Sequence, residues 1–145
     1  MMSMQVQTKS FQIDLPDAWI DRTVYVWSAP PAGGAIPPNF VVSQDRMAQG
    51  EEFVGYVNRQ VESLRQTLEG WTLLEQRPLR AFGTETYEIL FTWKTPQALM
   101  KQRQIFVLHQ GDGIMSLGCT ATAGAFQTAD AQYFQAILAN FRLAG

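Results

Sequence analysis

From Glu85 to Trp93 apolar and polar residues alternate almost without a break. Tyr87, Ile89, Phe91 and Trp93 share one parity, and Thr86, Glu88, Leu90 and Thr92 share the other. Successive side chains of an extended chain point to opposite faces, whereas a helix repeats its face every 3.6 residues or so. The segment is therefore predicted to be a strand with one face in an apolar core. The residues around it supply partners. Thr72 to Gln76 reads as a strand with Pro78 at its end, and Lys94-Thr95-Pro96-Gln97 turns the chain. Gln102 to His109 is a strand, joined to Ile114 to Ala121 by a tight Gly111-Asp112-Gly113 hairpin, since Asp and Gly tolerate positive φ. The second half is predicted to be an antiparallel sheet.

That sheet needs cover, and two helices are predicted to provide it. Between Gln49 and Glu69 the residues Phe53, Val57, Val61, Leu64 and Leu68 form one helical stripe, stopped by Gly70. Glu51 and Glu52 open this helix, where the dipole favours acids, and close packing is the expected reason for Gly55 inside it. Asp130 to Phe141 is the second helix, with Phe134, Ile137, Leu138 and Phe141 on its buried stripe, Thr128 as N-cap and Asp130 in its first turn. Four shorter strands precede them: Met4 to Thr8, Phe11 to Leu15, Thr23 to Ser28 and Phe40 to Gln44. Asp17 to Asp21 is a turn with two apolar anchors. Pro30 to Pro38 holds four prolines and two glycines and is predicted to be a loop. The layout implies one α+β domain over residues 1–145, an antiparallel sheet packed with two main helices.

Composition narrows the function. A chain of 145 residues buries enough surface to hold a core without disulfides or a metal. The net charge of −2, with no run of Lys and Arg, argues against a nucleic-acid partner. The single cysteine, Cys119, leans toward a reducing compartment. The N-terminus shows no basic and apolar leader, and no stretch has the length of a membrane span. A soluble, cytoplasmic chain is expected, without direct membrane anchoring.

Catalytic constellations are weak. His109 is the sole histidine, and no second His or Cys stands at ligand spacing, so no metal or other cofactor is expected. A Cys119 nucleophile with His109 as base is conceivable across the hairpin, but Cys119 sits among Leu117, Gly118 and Thr120 as a small buried residue would. Gly33-Gly34 lies between prolines, not between a strand and a helix as a phosphate cradle requires. The acid pairs Glu51-Glu52 and Glu85 with Glu88 suit solvated or structural roles. No catalytic residues are predicted.

Binding surfaces remain. Val24 and Val26 share one face of their strand, with Tyr25 and Trp27 on the other. Gln102 and Gln104 share a strand face with Phe106 and Leu108, and Gln60 falls on a helical row with Leu64 and Leu68. Two readings fit: one face packed under a helix with the other solvated, or a semi-apolar concave face whose amides meet a ligand's polar groups.

Phe11-Gln12-Ile13-Asp14-Leu15-Pro16-Asp17-Ala18-Trp19 resembles the strand, Leu-Pro, small turn and Trp that open the DcrB-like family, which has a PsbP-like α/β sandwich fold. The resemblance continues through Asp21 to Val26, the helix 49–69, the hairpin strands and the final helix ending Asn140-Phe141. Lipoprotein members of that family carry a signal and a lipidated cysteine. Without them the chain resembles the Eag (effector-associated gene) chaperones of bacterial type VI secretion. The resemblance implies a cytoplasmic homodimer that binds and shields the hydrophobic N-terminal transmembrane segments of PAAR/Rhs effectors and aids their loading on the secretion spike. It further implies an effector-binding groove of Val24, Val26, Gln60, Leu64, Leu68, Gln102 and Gln104. The alternatives are a non-enzymatic protein-binding or regulatory module of the same fold with a folded protein partner, and an enzyme of unrecognised type.

Overall fold

The computed structural model describes residues 3–30 and 36–144. In chain order the described elements are β1 (Ser3–Gln7), β2 (Gln12–Pro16), β3 (Tyr25–Ser28), β4 (Asn39–Arg46), α1 (Phe53–Thr67), β5 (Thr72–Ala81), β6 (Thr84–Lys94), β7 (Leu99–Leu108) and β8 (Gly113–Thr122). Then α2 (Phe126–Ala129), a π-helical turn (Asp130–Phe134) and α3 (Gln135–Asn140) run end to end. β1 and β2 pair as a separate antiparallel hairpin. The other six strands form one antiparallel sheet in the order β3-β4-β8-β7-β6-β5. The expected α+β class, an antiparallel sheet with helices packed on it, is what the chain adopts.

The period-two pattern divides this sheet into two faces. Phe40, Val42, Leu90, Ile105, Val107, Leu117, Cys119 and Ala121 form a core beneath Phe126, Ala129 and Phe134 of the C-terminal helical run. Ile89, Phe91, Phe106 and Ile114 form a second core on the opposite face, beneath Tyr56, Val57 and Val61 of α1. Burying each of these large apolar side chains contributes roughly 1.5–3 kcal/mol. The C-terminal face also carries an ionic network. Arg103 Nη1 donates to Glu88 Oε1 at 3.0 Å, and Arg103 Nη2 reaches Asp130 Oδ1 at 3.5 Å. The Arg103 guanidinium lies 5.8 Å from the Phe126 ring centroid, which ties the sheet to the helix above it.

Several local expectations are corrected. The C-terminal helical run starts at Phe126, not Asp130. Thr128 is therefore inside the first turn, and Asp130 begins the π-helical turn, where Arg103 holds it. α1 starts at Phe53. Glu51 and Glu52 precede it, and the Glu51 carboxylate instead accepts from Ala48 N–H and binds Arg59 through two bonds of 2.9 and 3.0 Å. Hydrogen bonding from Arg59 is the main cause that holds the Glu51 carboxyl down to about 2. Gly55 is exposed, and a Cβ there would meet only Glu51 Cγ at 3.7 Å, so packing does not require it. Pro78 lies inside β5 rather than at its end, a placement open to proline because β5 is an edge strand. In the β7–β8 hairpin the positive φ values fall on Gln110 and Gly111, one position earlier than Asp112. Trp19 and Ile20, expected as anchors, are 61% and 69% exposed. The Pro30 to Pro38 loop is described only at its two ends. Gly33-Gly34 lies outside the described residues.

Candidate functional site

α1 covers only part of its sheet face. It packs on Ile89, Phe91, Phe106 and Ile114, toward β6 and one end of β7 and β8. On the rest of that face the alternation presents Gln102 and Gln104 from β7 and Ser116, Gly118 and Thr120 from β8. Val41 and Ser43 follow from β4, and Val26 from β3. None of these belongs to either core cluster. A cleft of about 260 Å³ opens where this uncovered region meets the helix, lined by Ser43, Asp45, Tyr56, Gln60, Leu64 and Gln104 among others.

At the centre is a ladder of side-chain hydrogen bonds. Thr120 Oγ1 donates to Gln102 Oε1 at 2.9 Å, Gln102 Nε2 donates to Gln104 Oε1, and Gln104 Nε2 donates to Ser116 Oγ. The two glutamines stand two residues apart on β7 and so point the same way. Their amides lie across Gly118, which pairs with Gln104 on one side and Val41 on the other. A Cβ at Gly118 would sit 3.1 Å from both Gln102 Nε2 and Gln104 Oε1. Glycine here makes room for the amides, the close approach that strand glycines often serve. Each amide nitrogen has two hydrogens and, among the described residues, gives one to the ladder. The second makes no hydrogen bond among the described residues.

The helix side of the cleft is the row Tyr56, Gln60 and Leu64, spaced four residues apart. Tyr56 Oη donates to Asp45 Oδ2 at 2.8 Å across the end of the cleft. Burial first, and this hydrogen bond second, hold its phenol well above the usual range. Arg59 lies 5.2 Å from the Tyr56 ring centroid.

The residues singled out from the sequence are placed as follows. Gln60, Leu64 and Gln104 line the cleft, and Gln102 adjoins it through the ladder. Val26 lies on the same sheet face at the β3 edge and is 58% exposed. Val24 precedes β3 with the same parity and is 56% exposed. Leu68 caps α1 and packs against the second core cluster, outside the cleft lining. The sequence reading missed Gly118, Ser116 and Thr120. Their signal was the parity of β8, which puts a glycine between two hydroxyl residues opposite the glutamines.

The catalytic alternatives are not assembled by this arrangement. Cys119 pairs with Arg103, six residues before His109, which is about 20 Å along a strand. Its thiol is fully buried, and burial pushes it up to about 12. Glu85 and Glu88 have opposite parity, and Glu88 is held by Arg103. Among the described residues no three His, Cys, Asp or Glu side chains gather as metal ligands, and no helix is long and apolar enough to cross a membrane.

Comparison with known proteins gives the same fold. PA94 of Pseudomonas aeruginosa, a protein of unknown function, superposes with a TM-score of 0.81 at 21% identity over 99% of both chains. The PsbP protein of Synechocystis, CyanoP, gives 0.52 at 10% identity over 94% of this chain and 89% of its own. The Ran-binding protein Mog1p of Saccharomyces cerevisiae gives 0.54 at 11% identity over 90% and 82%. In sequence, Effector EagT6 of Pseudomonas aeruginosa is 27% identical over 95 residues, which are 66% of each chain and so just under two thirds of that relative's length. Neither EagT6 nor PA94 is named for a catalytic activity. The DcrB family matches residues 11–140, nearly the whole sequence, and the chain belongs to that family.

Proposed function

We propose that this protein is a cytoplasmic chaperone for apolar, membrane-spanning segments of type VI secretion effectors of the PAAR/Rhs kind. In this reading it acts as a homodimer and hands its client to the secretion spike. The observation that carries the reading is the uncovered sheet face beside α1, where exposed valines border a half-buried amide ladder with free N–H groups. The likeness to EagT6 supports the same direction.

The physical argument starts from the client. A membrane-spanning helix is about 20 apolar residues long, and in water it aggregates. Val24, Val26, Val41 and Leu64 offer apolar surface in place of lipid tails. Burial gains roughly 25 cal/mol for each Å² removed from water, part of which goes to ordering both partners. Backbone and Ser or Thr oxygens on the client accept from the free amide hydrogens of Gln102 and Gln104, as polar groups do between membrane helices. Such a site works by shielding alone and calls for no nucleotide.

Co-expression with the N-terminal apolar fragment of a candidate effector, followed by size-exclusion chromatography with light scattering, tests the reading. The expected result is a soluble complex that contains the fragment. Val26→Asp and Gln104→Arg are expected to abolish it while the chain stays folded. A fragment that precipitates beside a folded, unoccupied chain would overturn the reading for that client. Retained binding in both variants would overturn the groove.

A further inference from the structure

The uncovered sheet face is nearly free of charge. Its side chains come from positions 26 and 28 of β3, the odd positions 39–45 of β4, and the even positions 100–108 of β7 and 114–122 of β8. Asp45 is the one charged side chain in this set. Arg46, the next residue, turns to the opposite face. The helix wall of the cleft, Tyr56, Gln60 and Leu64, is uncharged. Arg59 beside it is neutralised by Glu51, through bonds of 2.9 and 3.0 Å. The cleft therefore carries a net negative charge, and it does so at one end.

Asp45 is held in place and still has capacity. Tyr56 Oη donates to its Oδ2 and Arg46 N–H donates to its Oδ1, both at 2.8 Å. An ionised carboxylate offers about four lone-pair sites, so further donors can join. The residue is exposed and, among the described residues, takes part in no salt bridge.

The spacing suits the end of a helical client. Val41 lies in line with Gly118 and Gln104 across the sheet. Asp45 follows four residues further along β4, about 13 Å away. On the other wall, Tyr56 to Leu64 rises about 12 Å along α1. A helix of about 20 residues is about 30 Å long, so each end lies about 15 Å from its middle. Laid beside α1 with its middle over the amide ladder, it brings one end to Asp45. Toward its other end it passes Ser28, Asn39 and Thr120, which are neutral. Membrane-spanning segments commonly carry Lys or Arg at one flank, on stems long enough to reach sideways.

We propose that Asp45 is a cation subsite of the groove, which takes the Lys or Arg flanking the client's apolar segment and so fixes the direction in which that segment lies. The inference rests on the chaperone reading and adds to it a charge preference and a direction. Apolar contact is nearly indifferent to which way a helix points, whereas one charge at one end is not. A basic flank gains a charge-assisted hydrogen bond there, and an acidic flank meets repulsion.

The test uses the full chain and a designed probe: about 20 Leu, Ala and Ser residues fused to a soluble carrier domain, flanked at one end by lysines, glutamines or glutamates. Biolayer interferometry reads Kd for each. The lysine flank is expected to bind about three- to fivefold tighter than the glutamine flank, the size of an exposed ion pair, and the difference to shrink in about 1 M salt. Asp45→Asn keeps an oxygen for Tyr56 and is expected to erase the difference, and Asp45→Lys to reverse it in favour of glutamates. A cysteine placed beside the lysines is expected to form a disulfide with Ser43→Cys and not with Ser28→Cys. Cys119 is fully buried and does not compete. Equal Kd for the three flanks, or a lysine preference that survives in Asp45→Asn, overturns the subsite and leaves the chaperone reading intact. Equal disulfide yield at the two positions overturns the fixed direction. No capture of any probe overturns the subsite together with the chaperone reading.

Discussion

Replacing Gly118 by valine tests whether the amide ladder is a real element of the surface. The first added atom would lie 3.1 Å from Gln102 Nε2 and Gln104 Oε1, and the two methyls of valine would project further into the same space. Both amides must then swing away. Three side-chain hydrogen bonds are lost, from Thr120 to Gln102, from Gln102 to Gln104 and from Gln104 to Ser116. At about 1 kcal/mol each the gross cost is about 3 kcal/mol. Removing a glycine from a strand returns roughly 0.5–1 kcal/mol of chain entropy, which leaves a net loss of about 2 kcal/mol. For a domain of this size that lowers Tm by about 4–8 °C. Alanine at the same position, which asks the amide ends to give by a few tenths of an ångström, should cost visibly less. Thermal unfolding followed by circular dichroism measures both, and co-purification with the apolar effector fragment reports on the groove. A Gly118→Val chain with wild-type Tm and undiminished capture would refute the geometry, because the amides could not then be lying over that position.

Other expectations concern the frame. Gly55→Ala should raise stability by about 0.5–1 kcal/mol in chemical denaturation, since its Cβ makes only an ordinary contact with Glu51 Cγ on the exposed side of α1. Arg103→Met should cost about 2–3 kcal/mol by the same measurement. It strips Glu88 and Asp130 of their partner, and only Arg77, 3.6 Å from Glu88, remains to soften the loss. At alkaline pH the Cys119 thiol, held up to about 12, keeps its proton in the folded chain while the unfolded chain loses it from about 9. Stability is thus intact below pH 9 and falls as pH rises toward 12. Tyr56, also held up by burial, adds a second decline above 10, so Cys119→Ala should remove only the part that begins at 9. On the acid side the Glu51 contribution is present above pH 4.5 and lost toward pH 2, and Glu51→Gln should flatten that limb of an unfolding titration.

How much of this was legible in the sequence depended on how local the signal was. The alternation from Glu85 to Trp93 needs only the geometry of an extended chain, and β6 follows it with the same faces. The stripe of α1 was visible for the same reason at a different period. The start of the C-terminal helical run was misplaced because Thr128 and Asp130 are good capping residues, whereas the true first turn is held by burial of Phe126 against a distant strand. Pro78 reads as a strand end because nothing local reveals that β5 lies at the edge of the sheet. The glutamine pair was noticed, but its footing at Gly118, Ser116 and Thr120 required the register of β7 on β8. The open edge at β3 likewise exists only once the order of the strands is known.

One feature of the sheet bears on how such a protein can change over time. Along β8 the residues that fill a core and those that face the groove alternate: Leu117 and Cys119 face one way, Ser116 and Gly118 the other. Substitutions at Val26, Gln60 or Ser43 therefore fall outside the packing that keeps the chain folded. A lineage could drift from one client to another through such positions, one tolerated step at a time, while the same scaffold persists beneath.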